Sequence, residues 1–136
     1  MDAVVLCYNL EETEKGKKIE QIFRLLGCRV RHVKTAWFRS PLGVLTGIAS
    51  GEENSPPYFG AGFSEEMLVM HLPGEEIFKL ALQMMKREQA VVELKAILTP
   101  YNMKWDSIAL YEELCREREA VTSAGRGSQG AERTEK

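Results

Sequence analysis

The chain has 136 residues, of which 44% are apolar and 28% charged, and its net charge is -2. That balance leaves room for one sizeable core in a single globular domain, and it excludes a fibrous, membrane-embedded or wholly unstructured chain.

The opening "MDAVVLCYNLEETE" holds an apolar run too short to cross a bilayer, without the basic flank or small-residue cleavage site of a secretory signal. A cytoplasmic address is expected. Residues Ala3 to Leu10 read as a strand buried on both faces. Ile19, Ile22, Phe23 and Leu26 then recur on one helical face, and Gly27 is placed to end that helix in a left-handed conformation. "CRVRHV", Cys28 to Val33, alternates as an edge strand does, with Arg29 and Arg31 on one face and Cys28, Val30 and His32 on the other.

Residues 34–66 form a long connection that holds Trp37, Phe38, Tyr58, Phe59 and Phe63. Within it, "SPLGVLTG" has serine at an N-cap position, proline at the first helical position and glycine after the last turn, which predicts a short helix. "EMLVMHL", Glu66 to Leu72, is a third strand, and the stripe of Ile77, Ala81, Met84 and Met85 predicts a helix from Glu75 to Ala90. "VELKAILT", Val92 to Thr99, is the fourth strand. Thr99-Pro100-Tyr101-Asn102 suits a turn, and Asp106 suits the N-cap of a last helix that runs to about Val121, with Trp105 and Leu110 placed as a hydrophobic staple. The polar stretch from Thr122 to Lys136 is expected to be a disordered tail, so residues 1–121 make the domain.

This order predicts an α/β fold: a small four-stranded, mainly parallel sheet of βαβ units with a C-terminal helix. The alternative is a ferredoxin-like α+β sandwich built from two βαβ halves, 3–33 and 67–98.

The residues exclude several chemistries. Cys7, Cys28 and Cys115 lie far apart with no Cys-x-x-Cys pair, so neither a disulfide framework nor a zinc knuckle is expected. Cys28 and His32 are roughly 13 Å apart along a strand, too far for one ion. "EKGKKIEQ" lacks the first glycine and the Ser/Thr of a phosphate loop, and "YFGAGFS" precedes a strand instead of following one. Cys7 with His71 lacks a third group to orient the histidine and reads as packing. Catalytic residues, metal and cofactor are therefore all expected to be none, and neither a membrane nor nucleic acid is expected as a partner.

Two candidate sites remain. From Gln21 to Gly51 the chain has no acid but five cations, Arg24, Arg29, Arg31, Lys34 and Arg39; from Ser40 to Phe78 it has six glutamates and no Lys or Arg. A regulatory or binding module would hold a protein or anionic ligand with Arg29, Arg31, Trp37 and Phe38. An enzyme or small-molecule sensor would instead gather Asn9, His71, Thr99 and Asn102 at the carboxyl ends of the strands.

"FSEEMLVMHL" (Phe63 to Leu72), "KAILTPYNMKW" (Lys95 to Trp105) and "LYEELCRE" (Leu110 to Glu117) together resemble a bacterial family of small uncharacterised proteins, domain of unknown function 3783. The recurring elements fall on Phe63, Lys95, Ala96, Thr99, Pro100, Asn102, Trp105, Glu113 and Glu117, and "PLGVLTG" is similar to a short family motif. The resemblance implies no activity.

Overall fold

The computed structural model describes residues 3–53 and 56–123. The first apolar run forms β1, Val4–Tyr8, buried throughout. Helix α1, Glu14–Leu25, follows; the Thr13 hydroxyl caps it by accepting from the Gly16 N–H at 2.9 Å. Gly16 fits there because a Cβ would stand 1.9 Å from the Leu10 carbonyl oxygen, so the glycine of "EKGKK" serves packing. Gly27, at φ 87°, turns the chain out of α1 as expected. Strand β2, Arg29–His32, lies parallel to β1, with Val4 opposite Arg29 and Cys7 opposite His32.

The connection then makes one 3₁₀ turn, Thr35–Trp37, and the short helix α2, Leu42–Thr46. Helix α2 starts later than the Ser-Pro pair predicts. Pro41 is extended, at φ -61° and ψ 145°, and stands as the N-cap. The Ser40 hydroxyl instead donates to the Glu53 carbonyl, pinning the far side of the connection. Gly47, at φ 88°, ends the helix where the sequence places it.

Strand β3, Met67–His71, pairs antiparallel to β1, with Tyr8 opposite Met67 and Val4 opposite His71. Helix α3, Glu75–Arg87, crosses to β4, Leu94–Ile97, which lies parallel to β3. The sheet order is β2-β1-β3-β4, so two of its three pairings are parallel. A ferredoxin-like sheet would interleave the strands of its two halves. Here each βαβ unit keeps its own strands adjacent, and the units meet through the antiparallel pair β1/β3.

Alternation along β1 and β3 splits the core in two. Val5, Cys7, Leu68 and Met70 pack against α1 and α3 through Ile19, Phe23, Ala81 and Met85. Leu6, Tyr8, Met67 and Val69 face the opposite way, onto Phe38, Leu42, Leu45 and the helix α4, Ser107–Ser123, through Leu110 and Leu114. Met70, Met84 and Met85 lie together in the core under α3, while Met67 turns to the other face. Helix α4 opens where predicted, with the Asp106 carboxylate accepting from the Ala109 N–H at 2.8 Å, and extends to Ser123; the rest of the expected tail lies outside the described residues.

Candidate functional site

The antiparallel pair β1/β3 decides the first candidate site. It points the carboxyl end of β1 and the carboxyl end of β3 in opposite directions, so Asn9 lies at one end of the sheet while His71 lies at the other. Because β4 is parallel to β3, Thr99 and Asn102 follow β4 out at the His71 end. Asn9, with φ 63°, donates from Nδ2 to the carbonyls of Phe63 at 2.9 Å and Glu65 at 2.8 Å, tying the connection to the end of β1. Asn102 is buried; its Oδ1 accepts from the Thr99 N–H at 2.9 Å, and its Nδ2 donates to the Ile97 carbonyl at 3.1 Å. The Thr99 hydroxyl accepts from the Tyr101 and Asn102 N–H groups. These polar groups bind their own turn. The constellation of Asn9 with His71, Thr99 and Asn102 is thus not brought together, because an antiparallel central pair replaces the parallel one that it presupposes.

The same turn supports the connection. The Leu42 N–H donates to the Trp105 carbonyl at 2.8 Å and the Gly43 N–H to the Met103 carbonyl at 2.9 Å. A Cβ on Gly43 would stand 2.9 Å from Met103 Cε, so "PLG" and "MKW" form one packed junction. The Tyr8 hydroxyl joins it from below by a buried 2.6 Å bond with Ser107 Oγ.

Cys7 is fully buried, and desolvation, with a smaller contribution from Glu20, pushes its thiol up to about 12. A thiol held protonated is no nucleophile at neutral pH. In the ladder Cys7 stands opposite Leu68 and His71 stands opposite Val4, so the two groups do not meet.

In the second candidate site, Phe38 and Trp37 part company. Phe38 is 1% exposed and packs on Phe63 at 4.9 Å, Tyr8 at 5.6 Å and Tyr58 at 5.9 Å between ring centroids. It pins the connection to the sheet and is withdrawn from any partner surface. Trp37 is half-buried, with the Arg31 guanidinium 5.3 Å and the Lys34 ammonium 5.8 Å from its ring centroid.

Around it the cations converge on the free side of β2. Arg31 donates to the Leu45 carbonyl at 2.7 Å and to the Glu53 carboxylate at 3.0 Å; that hydrogen bond holds the Glu53 carboxyl below its ordinary range. A groove of about 340 Å³ runs along this edge, lined by Arg24, Cys28, Arg29, Val30 and Arg31. Arg24 comes from α1 on one face of the sheet, whereas Arg29 and Arg31 share the opposite face with Val4 and Leu6. Guanidinium groups thus flank the edge from both sides. His32, one residue beyond Arg31, points toward α1 and pairs through Nε2 with Glu20.

A third cluster was invisible to local spacing. Glu65 accepts from the Tyr111 hydroxyl at 2.8 Å and from Arg118, which also reaches Glu93 at 2.9 Å. The hydrogen bond to Glu65 raises the Tyr111 phenol, and the Arg118 bond lowers the Glu65 carboxyl. Phe63 stacks on Tyr111 at 4.0 Å, so this cluster clamps α4 to the entry of β3. Within α4, Arg116 pairs with Glu113, three residues before it, at 2.7 Å. Among the described residues, no group of three His, Cys, Asp or Glu side chains could hold a metal ion, and no helix is long and apolar enough to cross a membrane.

One stretch, residues 66–121, matches the family described as Domain of unknown function (DUF3783). It runs from the entry of β3 through most of α4 and leaves β1, α1, β2 and the connection outside it. Neither the curated proteins nor the solved structures contain a match.

Proposed function

We propose that this chain, which matches DUF3783 in its carboxyl-terminal part, is a cytoplasmic binding module without catalytic activity that holds an anionic partner at the β2 edge. The observation that supports this reading is the arginine-lined groove, with cations on both faces of one sheet edge and Trp37 beside them. Arginine presents a planar fork suited to carboxylates, and its weak hydration lowers the cost of holding one at a surface. Glu53 already engages one guanidinium nitrogen of Arg31, while the other donates to the Leu45 carbonyl. The cytoplasmic address rests on three free cysteines, two of them buried.

The test is fluorescence anisotropy with labelled polyglutamate at low and high ionic strength. The parent protein binds at low salt and releases on salt addition, and the double variant Arg29→Glu/Arg31→Glu loses binding while melting within a few degrees of the parent. Equal binding by parent and variant would remove this reading.

A further inference from the structure

The geometry points to the form in which the partner binds: an extended, acidic segment of another protein adds to β2 as a fifth strand. This rests on the binding module proposed above and specifies its ligand.

The first observation is where the backbone of β2 points. The Arg29 N–H donates to the Ala3 carbonyl at 2.8 Å and the Val33 N–H to the Cys7 carbonyl at 2.9 Å. In a parallel ladder every second residue turns its N–H and C=O to the same neighbour, so 29, 31 and 33 face β1 and Val30 and His32 face away. Among the described residues, no hydrogen bond reaches the backbone of Val30 or His32 from that outer side. Those donors and acceptors are a template for strand addition.

The second observation is charge. Arg29 and Arg31 flank the outward groups of Val30 on one face, and Arg24 lines the groove from the other. In an added strand, residues directly across from Arg29 and Arg31 share their face, and the residues between share the face of Val30. An acid-apolar-acid alternation therefore sets carboxylates against the arginines and an apolar side chain beside Val30 and Cys28.

The same charge argues against other occupants. A second copy paired edge to edge would set one Arg-Val-Arg against another, and like charges opposed across strands are destabilising. The residues after Ser123, "AGRGSQGAERTEK", mix both signs without the acid-apolar alternation. An acidic strand from a different protein fits what remains.

The test compares three peptides on the full chain by isothermal titration at low ionic strength. They are an acetylated Glu-Val-Glu-Val-Glu-Val-Glu, a block-ordered peptide of the same composition, and the alternating peptide with every second amide N-methylated. Strand addition predicts that the alternating peptide binds at least about tenfold more tightly than either control, since the controls lose register or backbone hydrogen bonds while keeping charge. It also predicts that Val30→Pro, which removes an outward N–H on an edge where proline is tolerated, weakens the alternating peptide by a similar factor. Equal binding of all three peptides overturns strand addition and leaves the anionic groove standing. Absence of binding by any of them overturns both. If Val30→Pro fails to fold, the N-methylated peptide on the parent protein decides alone.

Discussion

The two edges of the sheet end in opposite ways. At β4 the last outward carbonyl, that of Ile97, is taken by Asn102, the chain folds into its own turn, and α4 packs behind it. At β2 the outward groups of Val30 and His32 meet no partner among the described residues, and arginines stand on either side. Every sheet must manage its edges, because exposed N–H and C=O groups invite pairing. This one consumes part of one edge with a side chain and guards the other with charge. A charge guard is selective where a covered edge is not: it repels a like edge and admits an opposite one.

The contrast can be broken from either side. Phe38→Ala strikes the aromatic pin that holds the connection beside the β2 edge, and a fully buried phenylalanine lost to alanine costs about 3–5 kcal/mol, readable as a lower urea midpoint. A variant as stable as the parent would show that the connection is held by something else. Asn102→Ala opens the β4 side, leaving the Ile97 carbonyl and the Thr99 N–H without their partner, at about 2–4 kcal/mol in all. Light scattering of that variant should also show self-association that the parent lacks, since its edge loses a cap without gaining charge.

Smaller effects test the β2 side. Arg31→Ala removes a bond to the Leu45 carbonyl and a half-exposed ion pair, and should cost about 1 kcal/mol of stability while abolishing most polyglutamate binding. A loss of stability without loss of binding would make Arg31 a brace for α2 and nothing more. Glu53→Gln should leave the melting temperature nearly unchanged and tighten polyglutamate binding by about two- to fivefold, because the internal carboxylate no longer competes for Arg31. Weaker binding would mean that Glu53 orients Arg31 for the partner.

Much of the architecture was legible because it rests on local signals. The apolar runs, the stripes of α1 and α3, the left-handed Gly27 and Gly47 and the Asp106 cap all follow from spacing along the chain. Strand direction did not follow, since a connection as long as 33–66 can return a strand either way, and the antiparallel β1/β3 pair then dissolved the strand-end site. Trp37 and Phe38 were inseparable in sequence, as neighbours in an aromatic segment; a 3₁₀ turn buries one and leaves the other beside the arginines. The Glu65–Arg118 clamp joins residues far apart in the chain and leaves no periodic trace. The basic run from Arg24 to Arg31 was readable as a charge excess, but only the fold shows that it brackets a strand edge.

The most direct measurement is an amide chemical-shift map of the protein titrated with the alternating acidic peptide. Strand addition at β2 predicts the largest shifts at the Val30 and His32 amides, with the Trp37 indole following, and little change at Lys95 and Ile97. Shifts centred on β4, or confined to arginine side chains with the Val30 and His32 amides unmoved, would contradict it.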